Sequence, residues 1–463
     1  MKKFLFLIAI ISVFSFNSFA QVYNDATLAK VIAQDNSDKD ANGNPANLTI
    51  GEHMYRADVY MSNRHFAEAR EHWEKVIKNY PDNALVPKAL FGMGRSNMWE
   101  RKYDEAVKWF DKLVKDYLSN EWGQEGLAYQ GASLVRLGKN LEAAAAYGQY
   151  TVMFPFGKRI ESSYLNIIDA YREAGEYDKA NEWVDKTRKR FDGTNTETNA
   201  LHARLRMEVY RKNWNAVIAA ANELLRLRNF DNSMAFEYEV QYLKGFALEK
   251  LNQRPQAISV YTSIPANADS YFGGLATDRI SALGGNVTYR NEQMQRESRN
   301  LAGQFPVMYR SELIQYSKSR GIDPRFVLAI MKQESSFRAN AKSPAAARGL
   351  LQLTYDTAIK YNKQAGFNNL DADDLYRPNV NIAIGSVYIK ELKDEFGGLY
   401  EAIAASYNGG EDNVARWLDR SKPKEAGIFT SEVGFSESKK YVFKVMSNYR
   451  IYQELYTENL VRK

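Results

Sequence analysis

The stretch KYDEAVKWFDKLVKDY, residues 102–117, is one cycle of a pattern that fills the first half of the chain. Ala106 closes "KYDEA", and Tyr117 stands eleven residues later. The same pairing occurs in "HFAEA" with Ala69 and Tyr80, in "KNLEA" with Ala143 and Phe154, and in "EYDKA" with Ala180 and Phe191. Successive alanines are 37 residues apart, and Pro81 and Pro155 follow two of the aromatics. Alanine lets paired helices approach closely, while an aromatic followed by proline ends a helix. Two markers holding one phase over four cycles argue against chance alanines in alanine-rich helices.

A period in the thirties with this texture resembles tetratricopeptide-like helical hairpins. The spacing predicts stacked helical pairs from residue 50 to about 265, forming a solenoid. A weaker fifth copy lies at "NWNAV" with Val217, and a sixth near Ala257. Such repeats bind or shape a partner and carry no chemistry of their own. The signal ends in "GGNVTYRNEQMQRESRNLAGQ", residues 284–304, where two glycines precede a polar helix-like run. This segment is expected to be a linker. The resulting division is 1–20 signal peptide, 21–283 helical repeat, 284–304 linker and 305–463 a final compact domain.

The first twenty residues read as a secretory signal. Lys2 and Lys3 precede the apolar run Phe4 to Phe16, and Ser18-Phe19-Ala20 is a small-x-small cleavage site before Gln21. The mature protein is expected to begin at Gln21, to reside in the periplasm and to carry no membrane anchor. A length of 463 residues implies more than one domain. Hydrophobic content of 45% and charged content of 25% are those of a globular chain. The absence of cysteine removes disulfides and thiolate chemistry. A formal charge of +6 is mild for this length and is no nucleic-acid footprint.

In "AIMKQESSFRANAKSPAAARGLLQL", residues 329–353, Glu334 is the lone carboxylate. Asp323-Pro324 starts a helix as N-cap and first residue. Phe326, Val327, Ile330 and Met331 give that helix an apolar face, and Glu334 falls on it. Partial burial raises a carboxyl pKa, and an acid protonated near neutrality can drive general-acid cleavage of a glycosidic bond. The competing reading is a partly exposed side chain at a helix end. All four histidines precede residue 300. The last domain therefore has no Ser-His-Asp triad, histidine base or typical zinc site, and no metal or cofactor is expected.

Four further segments follow in order. They are Ser343-Pro344 leading to Gly349-Leu350-Leu351-Gln352; Asn381 with Gly385 and Tyr388; Tyr407-Asn408-Gly409; and Glu437-Ser438 with Tyr441. With Glu334-Ser335 they resemble the soluble lytic transglycosylases of bacterial cell walls over residues 305 to 455. The family runs Glu-Ser, Ser-Pro-x-Gly-Ala-x-Gly-Leu-Met-Gln, Asn-Ile-x-x-Gly-x-x-Tyr, Ala-Tyr-Asn-x-Gly and Glu-Thr-x-x-Tyr-Val. The resemblance implies a mostly α fold: a tetratricopeptide-like helical-repeat solenoid followed by a goose-lysozyme-like α domain. It makes Glu334 the catalytic acid, and Ser335, Ser343, Gln352, Tyr388, Tyr407, Asn408, Glu437 and Tyr441 the substrate-binding set. Read without it, Tyr407-Asn408 is a tight turn, Gln352 a core amide, Tyr388 and Tyr441 core aromatics with a polar tip, and Ser335 a helix cap. This chain departs from the family at Ala346 for glycine, Leu351 for methionine, Thr354-Tyr355 for Met-Pro and Ser438 for threonine. Some members carry a further glutamate where Ser431 stands here, and that role is not carried over to Glu432.

The implied reaction cleaves the β-1,4 bond between N-acetylmuramic acid and N-acetylglucosamine and leaves a 1,6-anhydro end. Two rivals stay open: a hydrolase of the same bond, as in goose-type lysozymes, and a non-catalytic scaffold that binds peptidoglycan. The expected partners are peptidoglycan glycan strands, and cell-wall proteins through the repeats, with no nucleic acid.

Overall fold

The structure is a computed structural model that describes residues 25–39, 43 and 46–463. The proposed signal segment lies outside the described residues. Two compact units divide at Gly193.

The first unit, running to Asp192, holds α1 (Asp25–Asp38), α2 (Ile50–Ser62), α3 (Phe66–Asn79), α4 (Val86–Trp99), α5 (Tyr103–Tyr117), α6 (Glu121–Arg136), α7 (Asn140–Met153), α8 (Ile160–Glu173) and α9 (Tyr177–Arg190). From α2 onward each helix packs on the next, as stacked hairpins do. Ala69, Ala106, Ala143 and Ala180 lie near the starts of α3, α5, α7 and α9, and all four are fully buried. Tyr80, Phe154 and Phe191 are the C-cap residues of α3, α7 and α9, and Tyr117 is the last residue of α5. The 37-residue register of the sequence is thus the register of the packing. Small residues set the approach on the facing helices too. A Cβ added at Gly94 of α4 would lie 2.4 Å from the ring of Phe110 on α5. Ala106→Leu is expected to overpack the same helix and to cost roughly 1–3 kcal/mol; urea unfolding of the variant against wild type reads it.

Two buried polar clusters link helices of the stack. Arg159, at the start of α8, grips Glu125 of α6 with Nη2 at 2.7 Å and Nε at 3.0 Å. Asp35 of α1 accepts hydrogen bonds from Arg56 and Tyr60 of α2 and from His72 of α3. Burial opposes its ionisation, but the bonds from His72, Tyr60 and Arg56 prevail and hold its carboxyl below the usual range.

The second unit holds Gly193–Ser343 and Ala347–Lys463. It continues the helical pairs in α10 (Asn195–Tyr210), α11 (Trp214–Leu227), α12 (Glu237–Lys250), α13 (Arg254–Thr262) and α14 (Tyr271–Ala282), with Val217 and Ala257 fully buried. Next come α15 (Thr288–Asn300), α16 (Arg310–Tyr316), α17 (Pro324–Glu334), α18 (Tyr355–Tyr361), α19 (Pro378–Glu395), α20 (Tyr400–Gly409), α21 (Glu411–Asp419), α22 (Ala426–Glu432) and α23 (Ser436–Leu455). Residues 284–304, expected as a linker, are mostly α15, which packs on α23 with Met294 and Ser298 buried. Repeat helices α10–α14 therefore share one compact unit with the helices that follow. The core of the later helices centres on α17, α19, α20 and α23, with Phe326, Ile330, Ile384, Ile403 and Val445 all buried.

Candidate active site

α17 begins as its sequence dictates: Asp323 accepts from the Arg325 N–H at 2.9 Å, and Pro324 takes the first helical position. Its apolar face is buried throughout, and that face delivers Glu334, the last residue of the helix, into the core at 8% exposure. A carboxyl group there loses its hydration. Burial pushes Glu334 up to about 7; the Tyr441 hydroxyl, donating to Oε1 at 2.6 Å, pulls the other way, and the nearby charge of Glu437 adds to the rise. The group is thus poised to hold or release a proton near neutrality. Tyr441→Phe removes the donor that favours the carboxylate. Glu334 is then expected to titrate above 7, by roughly one unit, as carbon NMR of labelled glutamate would show.

The residues expected from the sequence fall into two groups. Tyr441, Tyr407 and Glu437 lie within electrostatic reach of Glu334. The Tyr407 hydroxyl is buried and has no hydrogen-bond partner among the described residues. Burial, then the charge of Glu334, pushes its phenol well above the usual range. Its ring lies 5.4 Å from that of Tyr388, which packs on Tyr361 at the same distance. Tyr407 and Asn408 occupy the last turn of helix α20 instead of a free tight turn, and Asn408 Oδ1 accepts from Ser438 Oγ at 2.6 Å. Serine thus supplies this hydroxyl where the family has threonine.

Ser335, Ser343 and Gln352 instead bond to the backbone of the loop after α17. Ser335 Oγ lies 2.8 Å from the Leu350 carbonyl oxygen and 3.2 Å from that of Met331, so it ties the helix end to the loop. Ser343 Oγ accepts from the Ala347 N–H at 3.1 Å. Gln352 Nε2 donates to the Ala341 and Gly349 carbonyls at 3.0 and 2.9 Å. Ala346 has φ +59°, a left-handed conformation that glycine adopts freely and alanine at a cost of roughly 1–2 kcal/mol. Leu351 is fully buried, and Thr354-Tyr355 starts α18.

Asn381 on α19 is the structural key that the site set omitted. Fully buried, it accepts from the Leu351 N–H at 2.8 Å and donates to the Arg348 and Leu375 carbonyls at 3.0 and 2.8 Å. An amide among apolar residues in "NIAIG" is the sequence signal for such a clamp. Glu432 is engaged elsewhere, 3.1 Å from Arg206.

Comparison with known proteins agrees with this geometry. Residues 312–429 match the family described as Transglycosylase SLT domain, and residues 56–119 match Tetratricopeptide repeat. The soluble lytic murein transglycosylase of Salmonella typhimurium is 31% identical over 150 residues, 32% of this chain and 23% of that protein. The membrane-bound lytic murein transglycosylase C of Cronobacter sakazakii is 29% identical over 160 residues, 30% of this chain and 44% of that protein. The matches thus span under half the length of these relatives. The solved structure of the lytic transglycosylase Slt from Pseudomonas aeruginosa superposes with a TM-score of 0.50 at 17% identity, covering 92% of this chain and 83% of that one, which shows a shared fold. Residues 312–429 of this chain are thus similar to transglycosylase SLT domains, and residues 56–119 to tetratricopeptide repeats.

Proposed function

We propose that the chain is a lytic transglycosylase of peptidoglycan, with residues 305–463 as its catalytic part. The observation that carries this reading is a buried glutamic acid, pushed up to about 7, that receives a hydrogen bond from Tyr441. Protonated Glu334 gives its proton to the glycosidic oxygen between N-acetylmuramic acid and N-acetylglucosamine, and the bond from that oxygen to C1 breaks. The acetamido group of the substrate shields the cationic C1. Glu334, now a carboxylate, takes the proton of the muramic acid C6 hydroxyl as O6 bonds to C1. The proton count closes, no water is consumed and a 1,6-anhydro end results. Tyr407, whose hydroxyl is buried and without a hydrogen-bond partner among the described residues, is the polar group best placed to meet the sugar. Ser335, Ser343 and Gln352 shape the loop beside it. The supports are the SLT domain, the lytic murein transglycosylases it resembles and the chemistry of the Glu334 pocket.

Glu437 gives a second reading its footing. It raises Glu334 through its charge, so a second carboxylate is nearby, as a hydrolase requires to activate water. Product analysis separates the two. Mass spectrometry of products from purified murein sacculi is expected to show 1,6-anhydro muropeptides with no oxygen from labelled water. Reducing-end muramic acid as the main product would hand the reaction to the hydrolase. We place the reaction in the periplasm, on the signal-like composition of residues 1–20 and the murein substrate, and assign the repeats to partner or glycan binding. Among the described residues no helix is long and apolar enough to cross a membrane.

A further inference from the structure

Lys439 lies in the first turn of α23, two residues before Tyr441, with no exposed surface. A buried ammonium is costly unless it is paired and hydrogen-bonded. Here Nζ has Glu239 Oε1 at 3.0 Å and Oε2 at 3.2 Å, the Ser431 carbonyl at 3.0 Å and the Met234 carbonyl at 3.1 Å. Glu239, fully buried on repeat helix α12, also holds His202 Nε2 of α10 at 2.7 Å. A second buried pair lies beside it: Arg206 of α10 donates to Glu432, the last residue of α22, at 3.1 Å. Burial pulls the Lys439 ammonium down to about 8, against the attraction of Glu239 and with the repulsion of Arg206. Burial likewise brings His202 to about 4, although Glu239 favours its charged form. At neutral pH the cluster is therefore a lysine cation, a glutamate anion and a neutral histidine.

Stability does not explain such a cluster, because well-packed apolar residues in place of a buried ion pair are often neutral or stabilising. Its geometry does. Residues two apart on a helix leave it about 200° apart, whereas residues three apart share a face. Lys439 thus points about 200° away from Tyr441 and about 100° away from Ser438, off the face on which Ser438 and Tyr441 meet the site. On that side Ser438 bonds Asn408 and Tyr441 bonds Glu334. We propose that Lys439 is a positioning residue for the chemistry at Glu334: anchored on α12, it sets the first turn of α23 so that Ser438 and Tyr441 reach their partners. Repeat helices α10 and α12 are then a working part of the active site, beyond any part they play in binding. The consequence for turnover rests on the function proposed above; the consequence for the Tyr441–Glu334 bond does not.

The test uses the whole chain. Lys439→Met removes the cation and leaves the buried Glu239 carboxylate with only the neutral His202 as side-chain partner, so its folding is at risk. Lys439→Met/Glu239→Gln keeps the volume and a partner for His202 and removes both charges together, whereas Glu239→Gln alone strands the Lys439 ammonium and carries the same risk. In the folded double variant kcat on murein sacculi is expected to fall about tenfold, with KM within about twofold of wild type. By carbon NMR the Glu334 titration in the double variant is expected to move upward, in the direction given by Tyr441→Phe. Tyr407 and Glu437, the other groups facing Glu334, are unchanged in these variants. A lower melting temperature with wild-type Glu334 titration and wild-type kcat per folded molecule would overturn the proposal. Wild-type protein without glycan turnover would refute the proposed function, and the NMR titration would still decide this one.

Discussion

Glu334→Gln is expected to lower glycan turnover by ~10²–10⁴-fold, the range typical of lost general acid–base catalysis, while glycan binding persists. Glutamine keeps the shape of the side chain and an oxygen for the Tyr441 hydroxyl, but it supplies no proton. The same variant is expected to gain stability at alkaline pH. The folded-state pKa of Glu334, about 7, lies above the 4.5 of an unburied glutamate. The stabilisation from its protonated form is full below pH 4.5 and is lost as pH rises through 7, by roughly 3 kcal/mol. Glutamine carries no such cost. Thermal unfolding at pH 8 should therefore place Glu334→Gln above wild type, with the gap closing near pH 4. A strained or ill-solvated group kept for chemistry gives this combination of lost activity and gained stability. Near-normal turnover would end the single-acid mechanism. Equal stabilities at pH 8 would mean that Glu334 ionises without cost, against the burial that defines its environment.

The burial of Glu334 was legible because it falls on the apolar face of a capped helix. The repeat was legible for a similar reason, since Ala106 and its counterparts mark close approach and the aromatics mark helix ends. What stayed hidden depends on the partner side of each contact. Nothing in "NIAIG" says which carbonyls Asn381 will hold, because its acceptors lie 6 and 33 residues away in the chain. The sequence gives Ser335 and Gln352 as polar groups near an acid. Only the fold reveals that their hydrogen bonds run to the loop backbone. Residues 284–304 read as a linker because they are polar and follow two glycines, yet burial of Met294 and Ser298 makes them part of the packed unit. Lys439 carries no local sign of its burial. Its acceptors Glu239 and Met234 are about 200 residues earlier, beyond the reach of any local pattern.

Gly349→Ala should be the most damaging small substitution in the loop that follows Glu334. Gly349 has φ +79°, where an L side chain costs roughly 1–2 kcal/mol. An added Cβ would lie 2.1 Å from the Leu375 carbonyl oxygen and 2.3 Å from Asn381 Nδ2. Neither atom is a flexible side-chain end: one is backbone, and the other is part of the clamp that holds Arg348, Leu351 and Leu375. Displacing Asn381 leaves buried groups unsatisfied at about 1–3 kcal/mol each. The expected loss is therefore roughly 3–5 kcal/mol in all. Gly366 is the control. Its φ is +92°, and nothing lies within 4 Å of a Cβ placed there, so Gly366→Ala pays the conformational cost alone. Urea unfolding is expected to separate the two variants by at least 2 kcal/mol, a gap set by the lost hydrogen bonds. Turnover should fall with Gly349→Ala and hold with Gly366→Ala, because the first loosens the loop that Ser335 ties to the end of α17. Equal losses from the two variants would mean that the loop yields around the new methyl group and that Asn381 is not what holds it.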